Sequence, residues 1–150
     1  MRALFDPDKF DPGRRRPRWS DQSARTQGIT CVARGRLAED AAAAFLEQND
    51  VVILARNYRS PVGELDIVGV DADTTVVVEV KARSSANFGE PLEAVGPLKE
   101  RRLRAAAAWW MAENGMAPEG IRFDVIAVQL GPGGGLRALF HWRDVLGEGR

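Results

Sequence analysis

The stretch "GELDIVGVDADTTVVVEVKAR" (63–83) reads as two apolar, Val- and Ile-rich strands interrupted by Glu64, Asp66, Glu79 and Lys81. Side chains alternate along a strand, so Glu79 and Lys81 share one face and Val78 and Val80 the other. By the same rule Glu64 and Asp66 share a face, with Leu65 and Ile67 opposite. Residues two apart lie ~6.6 Å apart. If the two strands pair with their charged faces together, three carboxylates and one amine meet in one small patch. Repulsion among close carboxylates raises a pKa unless positive charge sits between them. Lys81 supplies one charge; a divalent cation supplies two.

Such a patch suits phosphodiester hydrolysis. Asp66 and Glu79 would hold Mg²⁺ or Mn²⁺, which acidifies water and stabilises charge on phosphoryl oxygens. Lys81 would orient or deprotonate the water, or neutralise the transition state. The carboxylates leave room for one metal or two. The competing reading is an ordinary hairpin with one solvated face, where Glu–Lys pairs are common. Against it, "TTVVVEV" is too continuously apolar for a half-exposed strand, so Glu79 emerges from a buried one.

Composition narrows the metal. The chain has one cysteine, Cys31, and one histidine, His141, so Cys-based and His-rich sites are excluded and oxygen donors for a hard cation remain. With 150 residues, 45% hydrophobic, one domain is expected. No apolar run approaches the ~20 residues that span a bilayer, and no signal-type apolar region opens the chain. A soluble, cytoplasmic protein with no membrane partner is the expectation. The formal charge is zero but uneven: residues 1–36 carry nine Lys/Arg and four Asp, whereas the remainder is acidic. Residues 1–30 therefore read as a disordered basic arm, either a tether to phosphates or a solubilising tail, and 31–150 as a single domain.

The positioning elements follow from local pattern. "RGRLAEDAAAAFLEQ" (34–48) predicts a helix. Arg36, Asp40, Ala44 and Glu47 form its solvated side, with Arg36 and Asp40 spaced as an i,i+4 pair. Glu39 lies instead among Gly35, Ala42, Ala43 and Leu46, where a carboxylate needs a partner or a cation. "VVILARNYR" (51–59) is the first strand. Residues 64–70 and 75–83 form a hairpin, and 84–97 a loop. Pro97 opens a helix over about 98–114. "IRFDVIAVQL" (121–130) is a strand covered on both faces. "GPGGG" (131–135) is a flexible turn, and "LRALF" a short last strand. The order α-β-β-β-α-β implies helices around a mixed sheet, with the second helix long enough to cross to a parallel strand.

"RGRLAED", "ARNYRSPVGELDIV", "VVVEVKARSSANFGEPLEAVGPLKERRL" and "IRFDVIAV", spanning residues 34–128, resemble the YraN-like family of small bacterial proteins. That family is similar to archaeal Holliday-junction resolvases and the PD-(D/E)xK nuclease superfamily. The resemblance implies an α/β fold with a restriction-endonuclease-like three-layer core. It places Asp66 at the metal-binding aspartate and Glu79 and Lys81 at the (D/E)xK pair. Glu39 falls at the helix glutamate that completes the acidic site, and the Val80 carbonyl is a further implied metal ligand. Leu65 stands where the superfamily's name has proline. A homodimer is implied because related resolvases act as dimers on two-fold symmetric junctions.

Lys99, Arg83 and Arg102 are the candidate nucleic-acid contacts, Lys99 because the resemblance runs through "KERRL"; the competing reading of the helix cations is a plain solvated face. Trp109 and Trp110 could stack on bases, but their helical spacing with Leu103, Ala106 and Ala107 favours core. Arg122 and Asp124 share a strand face and can pair. His141 is assigned no role. The expected function is a Mg²⁺- or Mn²⁺-dependent endonuclease acting on DNA, branched or damaged structures included, with Glu39, Asp66, Glu79 and Lys81 as its catalytic set. The alternatives are a nucleic-acid-binding module on the same fold without cleavage, or a structural protein whose carboxylates only pair with lysines.

Overall fold

The computed structural model describes residues 29–83, 95–117 and 120–147. The expected basic arm before Ile29 and positions 84–94 of the loop after the Glu-x-Lys strand lie outside the described residues. The first helix, α1 (Cys31–Gln48), begins earlier than its Ala-rich core predicts, because the Thr30 hydroxyl accepts the Ala33 N–H at 3.2 Å. Next come β1 (Val51–Ser60), β2 (Gly63–Asp71) and β3 (Thr74–Arg83), then α2 (Pro97–Glu113), β4 (Ile121–Leu130) and β5 (Leu136–Trp142).

The strands form one mixed sheet in the order β1-β2-β3-β4-β5, antiparallel throughout except for the parallel β3–β4 pair. A parallel pair needs a long crossover, and α2 lies within it. Two apolar cores flank the sheet. Ala42 and Leu46 of α1 pack on Ile67, Val76, Val78, Ile126 and Leu139. Leu103, Ala106 and Trp110 of α2 pack on Leu65, Val77, Phe123 and Val125. The three expected layers are therefore present, and β4 is apolar throughout 125–128 because it faces both cores. Trp110 is buried and Trp109 is 43% exposed, so one tryptophan of the pair is core. Among the described residues no helix is long and apolar enough to cross a membrane.

Two irregularities bend the β1–β2 ribbon. The register shifts between Ile53 and Ala55, and Asn57 adopts a left-handed φ of 51°. Arg56 reaches α1, bonding Asp40 at 2.7 Å, whereas Tyr58 packs in the α2-side core. Asp40, spaced to pair with Arg36 along its own helix, is bonded by a strand residue. Across from Asn57, β2 turns over as well: Leu65 lies in the α2-side core and Ile67 in the α1-side core. The expectation that Leu65 and Ile67 share a face fails, because regular alternation stops at Asp66.

Close packing of the same ribbon fixes Gly69. A Cβ there would stand 2.9 Å from the Val52 carbonyl oxygen and 3.0 Å from a Val51 methyl. Backbone cannot give way cheaply, so Gly69→Ala should lower the urea unfolding free energy by about 1–3 kcal/mol. A loss below the error of that measurement would show that β1 moves freely away from β2.

Near the start of β4 a buried polar cluster joins four elements. Asp124, 1% exposed, accepts from Arg122 Nε at 2.9 Å, from His141 Nε2 at 2.8 Å and from the Asp144 backbone N–H at 2.9 Å. Arg122 also bonds Asp71 at 2.9 Å, and Phe45 of α1 meets the His141 ring edge-on at 5.8 Å. Burial pushes the Asp124 carboxyl up, but the bonds from His141 and Arg122 outweigh it and hold the group below the ordinary aspartate range. The sequence foresaw the Arg122–Asp124 pair; His141, left without a role, is its third member.

Candidate active site

The β2–β3 ladder begins at Asp71↔Thr74 and ends at Ile67↔Val78. Beyond that point the strands part, and the site lies in the fork. β3 remains paired to β4 on its other side through Arg83↔Gln129, so Glu79, Val80 and Lys81 stand on a fixed strand. The Val80 N–H, without a ladder partner, donates to Asp66 Oδ2 at 2.8 Å. A side chain thus takes the place of a strand carbonyl. Because the turn-over of β2 centres on Asp66, its carboxylate points along the sheet, into the gap, rather than onto either face. The N–H and C=O of one strand residue point to the same edge, so the Val80 carbonyl faces the gap too.

Glu79 projects to the α2 side of the sheet and is 5% exposed. Its Oε1 accepts from Lys81 Nζ at 2.9 Å and from Lys99 Nζ at 2.6 Å. Lys99 comes from the first turn of α2, two residues after Pro97. Burial pushes the Glu79 carboxyl up, yet the hydrogen bonds from Lys99 and Lys81 outweigh it and keep the group below its ordinary value. Asp66 has the opposite balance. Burial raises it first and the Glu79 charge second; the Val80 N–H opposes them, Glu39 adds repulsion, and the result is about 7.

The structure therefore brings Asp66, Glu79, Val80, Lys81 and Lys99 together, with the half-buried Glu39 of α1 close enough to act on Asp66 through its charge. Arg83 continues the Lys81 face of β3, and Arg102 lies exposed on α2. Glu64 is directed elsewhere: it is exposed and pairs with Arg59 at 3.4 Å. The residue that sequence reasoning undervalued is Asn57, opposite Asp66, whose kink accompanies the turn-over. Its signal is an Asn inside an otherwise strand-forming run, the residue type that most readily takes left-handed backbone after Gly.

Among the described residues no three His, Cys, Asp or Glu side chains form a metal-holding group. The donors at the fork are two carboxylates, Asp66 and Glu79, and the Val80 carbonyl, with Glu39 contributing field. All are hard oxygens, and one carboxylate lacks a cationic partner of its own. That set fits Mg²⁺ or Mn²⁺ in a shell completed by water or substrate oxygens.

A family model described as "Uncharacterised protein family UPF0102" matches residues 38–128. A UPF0102 protein of Moorella thermoacetica is 47% identical over 102 residues, 68% of this chain and 85% of the relative. Another, of Desulforapulum autotrophicum, is 49% identical over 94 residues, 63% of this chain and 78% of the relative. A third, of Nocardia farcinica, is 46% identical over 101 residues, 67% and 80% of the two chains. The matched span contains Glu39, the fork and Lys99, and with this coverage the chain belongs to the UPF0102 family, as its YraN-like motifs lead one to expect.

Proposed function

We propose that this chain is a divalent-cation-dependent nuclease that hydrolyses phosphodiester bonds in DNA, with branched or damaged structures as the class to test first. The observation that carries the reading is the fork. The strand ladder stops where Asp66, Glu79 and Lys81 gather, and an under-neutralised carboxylate faces a gap lined by oxygen donors. Asp66, Glu79 and the Val80 carbonyl would hold Mg²⁺ or Mn²⁺, with Glu39 adding negative field. When bound, the cation supplies positive charge to the phosphoryl group and makes water more acidic.

The chain's own residues do the rest. Lys81, anchored on Glu79, presents an ammonium beside the fork that can orient water or neutralise charge developing on phosphoryl oxygens. Glu79 fixes that ammonium in place. Arg83 and Arg102 extend positive charge along the α2 side, where a phosphate backbone can lie.

Labelled linear, flapped and four-way DNA incubated with Mn²⁺ or Mg²⁺ tests the proposal. Wild type should yield cation-dependent products, and Lys81→Ala should slow them by about 10²-fold or more, the scale of a lost proton-transfer or charge-stabilising group. Equal rates in wild type and variant would remove Lys81 from the mechanism. One observation favours a second reading. Both Lys81 and Lys99 pair with Glu79. A module that binds nucleic acid without cutting it is compatible with that arrangement. Salt-dependent DNA binding with no product in any cation, from folded protein, would favour it.

A further inference from the structure

We infer that Lys99 is an exchangeable counter-ion: it neutralises Glu79 while the fork lacks a divalent cation, and transfers its ammonium to a phosphate when cation and DNA arrive. This rests on the proposed metal-dependent reading of the fork and adds the step that would open it.

Three observations carry the inference. Lys81 and Lys99 share one oxygen, Glu79 Oε1, so the carboxylate holds two ammonium groups where one would neutralise it. The two lysines are held differently. Lys81 lies on the same strand as Glu79, two residues away, and its side chain is 26% exposed. Lys99 arrives from a different layer and its side chain is 43% exposed, so it can swing outward on a flexible four-carbon stem. Finally, Lys99 occupies the first turn of α2, after an N-cap glycine that makes no side-chain cap. A helix N-terminus carries partial positive charge and disfavours a lysine. What holds the ammonium inward is the carboxylate, and a divalent cation at the fork both competes for that carboxylate and repels the ammonium. Released, Lys99 would stand at a helix N-terminus beside Arg101 and Arg102, a surface suited to phosphate oxygens.

The test measures Mn²⁺ binding by titration calorimetry, without DNA, for wild type, Lys99→Met, Lys99→Gln and Asp66→Asn, each shown to be folded by circular dichroism. Exchange predicts that both Lys99 variants bind Mn²⁺ at least about tenfold more tightly than wild type, because no ammonium need be displaced. DNA binding in Ca²⁺ should then weaken in Lys99→Met, with the slope of log affinity against log salt reduced by about one. Unchanged or weaker Mn²⁺ binding in both Lys99 variants, with binding in wild type lost in Asp66→Asn, would overturn the exchange and leave the metal site standing. Absence of Mn²⁺ binding in every protein would overturn the metal reading and the exchange with it.

Discussion

Asp66→Asn should abolish cation-dependent cleavage while making the cation-free protein more stable at pH 8. The two effects have one origin. In the folded protein the Asp66 carboxyl is raised by burial and by the neighbouring Glu79 charge, from 3.8 to about 7. A group raised on folding contributes stability that is fully present below its unfolded value, near pH 4, and is lost as pH rises through its folded value. Above pH 7 the fork therefore holds two ionised carboxylates, Asp66 under-neutralised, and the fold bears their repulsion. Asparagine keeps an oxygen for the Val80 N–H but carries no charge. The full linkage value of such a shift is about 4 kcal/mol, and water entering the fork should reduce the observed gain to about 1–2 kcal/mol. Urea unfolding in EDTA checks this: the variant should match wild type below about pH 4, pull ahead as pH rises toward 7, and exceed it most at pH 8. Adding Mn²⁺ should stabilise wild type alone. A variant no more stable than wild type at pH 8 would mean that Asp66 is already neutralised, and the case for a cation at the fork would lose its electrostatic basis.

The largest loss of stability is expected at Asp124, on the face of the sheet opposite Glu79. Removing one member of a buried charged cluster leaves the others unpaired, which costs about 3–5 kcal/mol. Asp124→Ala would strand the His141 ring and the Asp144 N–H and leave Arg122 with Asp71 alone. Asp124→Asn retains partial bonding and should lose less. The pH sign is opposite to that of Asp66. A carboxyl lowered on folding contributes stability above its unfolded value, and that stability is lost as pH falls through the lower folded value. Wild type should therefore lose stability below about pH 4 in a way that Asp124→Asn does not. Chemical unfolding at pH 7 and again near pH 3 would show both. A loss under 1 kcal/mol for Asp124→Ala at pH 7 would mean that water solvates the cluster and that it does not fasten β4 and β5 to the rest of the sheet.

The residue pattern carried much of this, and the reasons for its failures are specific. Ala and Leu at helical spacing revealed α1, and alternation interrupted by charge revealed Glu79 and Lys81, because those signals repeat within a few residues. The continuous apolar run of β4 revealed its burial on two sides. Alternation misplaced Leu65 against Ile67, since the local rule assumes a regular strand and the turn-over at Asp66 departs from it. Nor could local spacing show that β2 and β3 part beyond the Ile67↔Val78 pair. The ladder's end coincides with the left-handed Asn57 of β1, a residue removed in sequence. Lys99 was named as a phosphate contact, but its bond to Glu79 joins two layers across 20 positions. His141 was passed over because a lone histidine has no pattern; its meaning came only from Asp124, on the neighbouring strand.

The bent edge of the sheet has a consequence for the molecule in solution. β1 is ten residues long and exposes Val52 and Leu54, the composition of a strand that recruits another strand. The register shift between Ile53 and Ala55 and the left-handed Asn57 interrupt its outer row of amides within five residues. No straight run remains long enough to template a sixth strand. The same local geometry that accompanies the aiming of a carboxylate into the fork thus makes the β1 edge a poor template for another strand.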